Sequence, residues 1–340
     1  MRTSKRRNPQ APKISKQGRL AGLGLLCVLL LASLIPGAPS SFARQQPPES
    51  PSQPVPAMQG EAAPGNDVRT MFVAVLDKKG NAVSELKRED FSVRENGVPQ
   101  EVLEVSPAGA MPLVVGVLVD VSGSLKLDNS RGKKLQALSI FFADTIGTSD
   151  EGFVVAFAED QNRLTRFTNR PAELQEGLEK INKTLPGGGT TLYDCLVSAA
   201  ESMQKERGGR RIIVVLTDFE DNLSNHSLEK TISRIQETGT AVFVLLETAQ
   251  DPRRLRSEDQ RQRAAEQVAQ SSGGVVYGVE SPKHAEAALR QIQVVVRNSY
   301  ELKYRASSPP KKGKGVAVKV EVQRKDVKII AAERRFSAAQ

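Results

Sequence analysis

The sequence has few of the side chains that zinc sites and histidine-based catalytic sites require. Its 340 residues include two histidines, His226 and His284, two cysteines and no tryptophan. Neither histidine has a cysteine or a second histidine at ligand spacing, which disfavours transition-metal sites and histidine-based triads. Cys27 lies in an N-terminal apolar run, and Cys195 lies in a helical apolar pattern that predicts a buried, unreactive side chain. No internal disulfide is expected.

Acidic residues are absent from the first 43 positions, whereas seven lysines and arginines lie there. Removing these seven from the 48 lysines and arginines leaves 41 basic against 39 acidic residues, so the rest of the chain is nearly neutral. The formal net charge of +9 therefore does not indicate a nucleic-acid-binding protein, because the excess is confined to the N-terminal segment.

The N-terminal segment has the three parts of a secretory signal peptide. Its basic stretch is followed by an apolar run over 20–35 and by a Ser-Phe-Ala sequence ending at Ala43, which predicts a signal peptide over 1–43. The apolar run has 16 residues, fewer than the ~20 that span a bilayer. Cleavage is therefore favoured over the alternative, an uncleaved membrane tether. We expect an exported protein, located in the periplasm, the cell envelope or outside the cell.

Residues 44–66 are rich in proline, glutamine and serine, and we expect a disordered linker there because so little apolar surface cannot build a core. Beyond them, residues 67–109 and 299–338 each contain short β-type runs separated by turn sequences. Neither flank has enough strands to bury a core alone, since about three strands with a hydrophobic face are needed. The two flanks are therefore predicted to pair into one small β domain.

Between the flanks, residues 110–298 alternate between strand-like and helix-like segments. Short runs rich in valine, isoleucine and phenylalanine are typical of strands buried on both faces of a parallel sheet. The alternation predicts a doubly wound, Rossmann-like α/β domain. The predicted strands cover 113–119, 153–158, 212–216, 241–246 and 275–277, and the predicted helices cover 131–146, 171–183, 191–206, 226–238, 257–272 and 283–297.

Acidic and hydroxyl side chains follow two of the predicted strands and one glycine loop. They are Asp120, Ser122 and Ser124 after the first strand, Thr190 after the glycines at 187–189, and Asp218 after the third strand. Because the carboxyl ends of parallel strands share one edge of a sheet, we expect these side chains to lie together. Their oxygens suit Mg²⁺, Mn²⁺ or Ca²⁺ and do not suit zinc or copper.

Each of these motifs also has a simpler interpretation. Asp-x-Ser-x-Ser sequences are common in turns and helix caps, and glycine loops before a helix also bind phosphate. A phosphate-binding P-loop requires Gly-Lys-Ser/Thr, whereas Thr190, Thr191 and Leu192 follow the glycines here. The joint occurrence of the three segments in this order favours the metal site.

The order of the motifs resembles the metal-ion-dependent adhesion site of von Willebrand factor type A domains. The resemblance implies that Ser122, Ser124 and Thr190 supply hydroxyl ligands. It implies that Asp120 and Asp218 supply carboxylates that commonly reach the metal through water. The implied ion is Mg²⁺, with Mn²⁺ and Ca²⁺ as alternatives.

The flanking sequences resemble an exported von Willebrand A-related subfamily that is common in Acidobacteria. The segments that carry this resemblance are Asp77 to Gly80, Glu89 to Phe91, Glu95 to Gln100 and Tyr300 to Tyr304. The resemblance covers about residues 68–337. One residue departs from the family pattern, because Phe219 stands where the family usually has glycine after the aspartate.

These observations predict an exported, metal-dependent protein-binding or adhesion module that is not an enzyme, binds no nucleic acid and uses no small-molecule cofactor. The ion is expected to receive a carboxylate from an exposed Asp or Glu of a protein partner. Two other functions stay open: a hydrolase that uses the metal as a Lewis acid, and a structural envelope scaffold in which the site is vestigial. Ser122 and Ser124 lack a Gly-x-Ser-x-Gly setting, which disfavours a serine hydrolase. Two further acids, Asp194 and Asp221, are expected to serve as helix N-terminal charge and as part of a solvated loop.

Overall fold

The computed structural model describes residues 67–125, 130–184, 187–206, 208–247, 257–307, 316–332 and 334–335. The predicted signal peptide and linker lie outside the described residues. In the part of the chain that is described, no helix is both long and apolar enough to cross a membrane. The described strands form one sheet of six strands and one of seven, and both sheets belong to one compact unit.

The strands, in chain order, are β1 (Asp67–Leu76), β2 (Phe91–Glu95), β3 (Val98–Pro107), β4 (Leu113–Asp120), β5 (Glu151–Phe157), β6 (Gln161–Arg163), β7 (Arg210–Thr217), β8 (Thr240–Leu246), β9 (Val276–Gly278), β10 (Tyr300–Ala306), β11 (Val316–Val322), β12 (Lys328–Ile330) and β13 (Arg334–Arg335). The α-helices are α1 (Arg131–Thr145), α2 (Pro171–Asn182), α3 (Leu192–Glu206), α4 (Leu228–Thr238), α5 (Glu258–Ser272) and α6 (Pro282–Arg297).

The six-stranded sheet has the strand order β6-β5-β4-β7-β8-β9. Its strands pair in parallel, except that β6 is antiparallel to β5. β4 lies near the centre and is buried at every position, which explains its uninterrupted run of apolar residues. The sequence does not predict β6, because its three residues are polar and exposed.

Helices cover both faces of this sheet. α1, α2 and α6 contribute to the hydrophobic core on one face, and α3, α4 and α5 contribute to the core on the other. Each predicted helix is present, with both ends within two residues of the predicted ones. The predicted fold class, a doubly wound Rossmann-like α/β domain, is therefore confirmed.

The seven-stranded sheet has the strand order β12-β1-β10-β3-β2-β11-β13. β10, from the C-terminal flank, lies between β1 and β3, which come from the N-terminal flank. Buried side chains from both flanks, including Val73, Phe91 and Leu302, form its core. The two flanks thus build one small β domain, as the fold prediction states, while the predicted domain boundaries stay a prediction.

Candidate metal site at the edge of the six-stranded sheet

The candidate site lies where β4 and β7 end. The two strands are parallel neighbours, so Asp120 at the end of β4 and Asp218 after β7 come to the same edge of the sheet. Both residues are almost completely buried, with 2% and 1% of their surface exposed. Thr217, the last residue of β7, donates a hydrogen bond from Oγ1 to Asp120 Oδ2 at 2.7 Å. This bond connects the two strand ends.

The turn after β4 brings both predicted serines next to Asp120. The backbone N–H of Ser122 donates a hydrogen bond to Asp120 Oδ1 at 2.8 Å. The hydroxyl oxygens of Ser122 and Ser124 lie 2.9 Å apart, within hydrogen-bond distance. An Asp side chain that accepts from the backbone two residues later is the usual way in which this residue fixes a turn. The turn thus presents two hydroxyl oxygens beside a buried carboxyl group.

Two backbone hydrogen bonds attach the glycine loop to this turn. The N–H of Gly123 donates to the carbonyl oxygen of Gly188 at 3.1 Å, and the N–H of Gly187 donates to the carbonyl oxygen of Val121 at 3.0 Å. Gly188 has a positive φ of 75°, which glycine adopts without steric cost. The first and second predicted segments are therefore in direct contact.

The loop after β7 holds the predicted threonine from the other side. The N–H of Thr190 donates to Asn222 Oδ1 at 2.8 Å, and the Thr190 carbonyl oxygen accepts from the N–H groups of Asn222 and Leu223. Thr190 is buried, with 2% of its surface exposed. The Thr191 hydroxyl instead donates to the carbonyl oxygen of Ala158 at 2.9 Å. Its hydrogen bond is therefore made to the loop after β5. All five predicted site residues lie at this edge of the sheet.

The electrostatics of the site are those of two neighbouring buried acids. Burial raises the pKa of Asp120 to about 6, although hydrogen bonds from Ser122 and Thr217 oppose this shift, and the negative charge of Asp218 adds to it. The main influences on this pKa are therefore burial, neutral hydrogen-bond donors and a second carboxylate. A carboxyl group in this setting either keeps its proton or needs a positive charge beside it.

The side chains at this edge fit a hard divalent cation. They offer two carboxyl groups and three hydroxyl groups, which are the oxygen ligands that Mg²⁺ and Ca²⁺ prefer. The described part of the chain contains no group of three or more His, Cys, Asp or Glu side chains that could hold a metal.

We expect the metal-free protein to lose stability as the pH rises from about 4 to 6. The pKa of Asp120 is about 6 in the folded protein, whereas an unperturbed Asp, as in the unfolded chain, has a pKa of 3.8. The folded state therefore binds this proton more tightly than the unfolded chain. Stability that is present below pH 3.8 is lost as the pH rises through the folded pKa. The difference corresponds to about 3 kcal/mol.

Urea unfolding in the presence of chelator, at a series of pH values, measures this effect. The matched variant Asp120→Asn cannot ionise at this position, so its unfolding free energy should depend less on pH over the same interval. Equal pH dependence in the two proteins would contradict the prediction.

Two acids near the site have roles that the sequence does not predict fully. Asp194 lies in the first turn of α3, as expected, but its carboxylate also accepts hydrogen bonds from Asn225 and from the N–H of His226. His226 Nδ1 lies 2.5 Å from Asp194 Oδ1. Burial opposes ionisation of Asp194, yet these hydrogen bonds hold its pKa below the ordinary value. Asp194 therefore ties the loop after β7 to α3.

The second acid, Asp221, does not lie in a purely solvated loop. Its Oδ1 accepts hydrogen bonds from the N–H of Tyr193 at 3.1 Å and from Ser224 Oγ at 2.5 Å. Because Tyr193 is the second residue of α3, Asp221 satisfies one of the backbone donors that a helix N-terminus leaves open. Asp194 and Asp221 thus connect α3, which begins two residues after Thr190, to the loop that contains Asp218.

Two further residues at this edge escape sequence reasoning. Glu159, after β5, accepts a hydrogen bond from the N–H of Gly189 at 3.2 Å. Glu247, after β8, forms a buried ion pair with Lys134 of α1. The only sequence signal for this pair is a lysine within the apolar pattern of α1, and periodicity does not identify its partner 113 residues away.

Phe219 has an unusual backbone conformation. Its φ is +58°, in the left-handed region that glycine favours. Its side chain is buried with 2% of the surface exposed, and its ring packs edge-to-face against Tyr193 with centroids 6.4 Å apart. The departure from the family pattern thus places an aromatic core residue directly after Asp218.

A parallel sheet with helices on both faces, and with carboxyl and hydroxyl groups gathered where its strands end, defines a Rossmann-like α/β domain. Residues 115–220 match the model of the von Willebrand factor type A domain. The matched segment runs from β4 to the loop after β7 and contains every predicted site residue. The predicted Acidobacteria subfamily stays a prediction.

Several solved structures are similar to this chain at low sequence identity. An aerotolerance-related membrane protein from Bacteroides fragilis NCTC 9343, with multiple mutations to serines, is 22% identical; the match covers 53% of this chain and 98% of that one, with a TM-score of 0.42. A von Willebrand factor type A protein from Catenulispora acidiphila is 14% identical over 75% of both chains, with a TM-score of 0.47. The pilus adhesin SpaC from Lactobacillus rhamnosus GG is 10% identical over 72% of this chain and 47% of its own, with a TM-score of 0.45. No curated protein matches this chain.

Proposed function

We propose that this chain is an exported protein-binding module whose α/β domain holds a divalent cation and uses it to bind an acidic partner. The ligands are the hydroxyl groups of Ser122, Ser124 and Thr190 and the carboxylates of Asp120 and Asp218. The observation that carries the proposal is the pair of buried carboxyl groups beside hydrogen-bonded hydroxyls. Mg²⁺ is the proposed ion, with Mn²⁺ and Ca²⁺ as alternatives.

The proposed mechanism is recognition without bond cleavage. With each carboxylate binding through one oxygen, the five side chains supply five oxygen ligands, fewer than the six that Mg²⁺ prefers, so a bound ion offers a position to an Asp or Glu of the partner protein. The residues of this chain fix the geometry. The Asp120 turn orients the serines, and hydrogen bonds to Asn222 and through Gly188 fix Thr190 and the glycine loop at the same edge of the sheet.

A hydrolase is the second candidate, and the contacts at the site do not favour it. The Ser122 hydroxyl is within hydrogen-bond distance of Ser124, and a nucleophilic serine needs an adjacent base. His226 instead contacts Asp194 on α3 through Nδ1, and the N–H of His284 donates to Ser281 at the start of α6. An envelope scaffold with a vestigial site is the third candidate.

Calorimetric titration of the metal-stripped protein with Mg²⁺, Mn²⁺ and Ca²⁺ tests the proposal. Asp120→Ala removes one of two carboxylates, so we expect the ion affinity to fall by about tenfold or more, since charge-assisted contacts are worth at least ~1.4 kcal/mol. The matched control is Asp144→Ala, which removes an exposed acid of α1 far along the helix from the site and should bind the ion as wild type does. Wild-type protein that binds none of the three ions, or an Asp120→Ala variant that binds them equally well, would contradict the proposal.

Capture of partners from an envelope extract distinguishes the three candidate functions. The proposal requires that the wild-type protein and Asp144→Ala bind the partner in the presence of Mg²⁺. This binding should be lost when chelator is added, and Asp120→Ala should not bind. Turnover of a substrate in place of stable capture would favour the hydrolase. Ion-independent binding that both variants retain would favour the scaffold.

A further inference from the structure

A cavity lies at the end of the six-stranded sheet opposite to the proposed metal site, where β7 and β8 begin. Its volume is about 510 Å³, within the ~300–1,000 Å³ of typical small-molecule sites. Its wall combines residues 68–72 of β1 with the starts of β7 and β8 and with residues 271–273 at the end of α5. The cavity thus lies between the two sheets and away from the proposed metal site.

The charges in the cavity wall are mostly positive. The wall contains Arg69, Arg210 and Arg211, and one carboxylate, that of Glu237. Glu237 accepts a hydrogen bond from Arg234 of its own helix at 2.7 Å, so its charge is already compensated. Arg69 forms an ion pair with Asp67. Among the described residues, Arg210 and Arg211 form no ion pair with any carboxylate of the protein.

Arg210 is the most unusual of these cations, because it is 95% buried without a counter-ion; only 5% of its surface is exposed. Its Nη1 donates hydrogen bonds to the carbonyl oxygen of Val296 at 2.6 Å and to Ser299 Oγ. Its Nε is buried and has no acceptor among the described residues. A buried guanidinium normally has a carboxylate or phosphate partner, because leaving the charge uncompensated is costly.

Burial lowers the pKa of Arg210 to about 10, and the positive charge of Arg297 adds to this effect. The guanidinium also stacks over the ring of Phe72 at 4.7 Å from its centroid, which holds the plane of the group in one orientation. The edge formed by Nε and Nη2 has no hydrogen-bond acceptor among the described residues. A carboxylate that reached this edge would accept from two parallel N–H groups.

The rest of the wall is suited to an apolar body. Phe72, Met71 and Val318 line the cavity, and nearby Val68 leaves 48% of its surface exposed. Exposed apolar side chains are ordinary when isolated, but here they adjoin a concave surface that also contains a buried cation. A ligand with one acidic end and one apolar end would satisfy both parts of the wall.

We infer that this cavity binds a small organic anion that has a single carboxylate on an apolar chain, with the carboxylate at Arg210. The inference is independent of the proposed metal site, because it uses the amino ends of β7 and β8 and none of the proposed metal ligands. A planar carboxylate is favoured over phosphate, since the single guanidinium edge provides two parallel donors that match the two oxygens of a carboxylate.

Calorimetric titration of the full chain with octanoate tests the inference, with 1-octanol and acetate as matched probes that lack the charge or the apolar chain. We expect one octanoate to bind per chain and both other probes to bind about tenfold more weakly or not at all. Absence of octanoate binding at millimolar concentration, or equally tight binding of 1-octanol, would overturn the inference.

Two variants locate the binding site. Arg210→Gln removes the cation, and Thr70→Trp fills the cavity from an exposed position of β1 while leaving the guanidinium in place. Each is expected to reduce octanoate binding by about tenfold or more, whereas the control Arg290→Gln on the exposed face of α6 should bind as wild type does. If Arg210→Gln does not fold, Thr70→Trp alone decides, and octanoate binding by Thr70→Trp at wild-type affinity would overturn the inference.

Discussion

Replacing Gly274 by alanine is expected to cost about 4 kcal/mol of unfolding free energy or more. A Cβ atom at this position would lie 1.9 Å from the carbonyl oxygen of Val242 and 2.5 Å from its carbonyl carbon. Overpacking in a core ordinarily costs about 1–3 kcal/mol because side chains move aside. Here the obstructing atoms are backbone atoms of β8, which pairs with β7 and β9, so relief would require moving a strand that is paired on both sides.

Urea unfolding measures this loss, and expression of insoluble protein would be its extreme form. The matched control is Gly278→Ala at the end of β9, where an added Cβ meets no atom within 4 Å. That variant should stay within about 0.5 kcal/mol of wild type. Similar stabilities for the two alanine variants would show that the segment after α5 does not approach β8 as closely as described here.

Replacing Phe219 by alanine is expected to cost about 3–5 kcal/mol, because it removes a buried aromatic ring and leaves a cavity beside Tyr193. Replacing it by glycine removes the same ring but also relieves the left-handed backbone, whose φ is +58°. A left-handed residue other than glycine costs about 1–2 kcal/mol. We therefore expect the glycine variant to be more stable than the alanine variant by about 1 kcal/mol.

This order is the reverse of the one found in ordinary helices and strands, where glycine is the less stable residue by roughly 0.5–1 kcal/mol. Equilibrium unfolding of Phe219→Ala and Phe219→Gly, measured side by side, tests it. An alanine variant that equals or exceeds the glycine variant in stability would contradict the left-handed conformation after Asp218.

The hydrophobic pattern is sufficient to predict most of the fold. The buried run of β4 and the apolar stripes of the helices are local signals, because each follows from the period of a single element. The pattern fails for β6, whose residues Gln161 to Arg163 are polar. This strand forms because its backbone pairs with β5, and backbone pairing leaves no hydrophobic pattern in the sequence.

The candidate site was partly predictable for a different reason. Asp120, Ser122 and Ser124 are close in sequence, and the topology of a parallel sheet brings Asp218 to the same edge. Side chains that support the site from distant segments are not predictable in this way. Asp194 meets His226 across 32 residues and Lys134 meets Glu247 across 113 residues, and neither contact follows from periodicity or from a short motif.

The position of β10 between β1 and β3 constrains the order in which the protein assembles during synthesis. Val73 of β1 pairs with Tyr300 of β10, so β1 emerges from the ribosome long before its partner strand exists. At about 5–20 residues per second, the delay is roughly 10 to 45 seconds. The helices and strands between them form one continuous stretch that is finished earlier. The nascent chain therefore carries an unpaired, aggregation-prone strand edge through the whole time in which its α/β domain is being made.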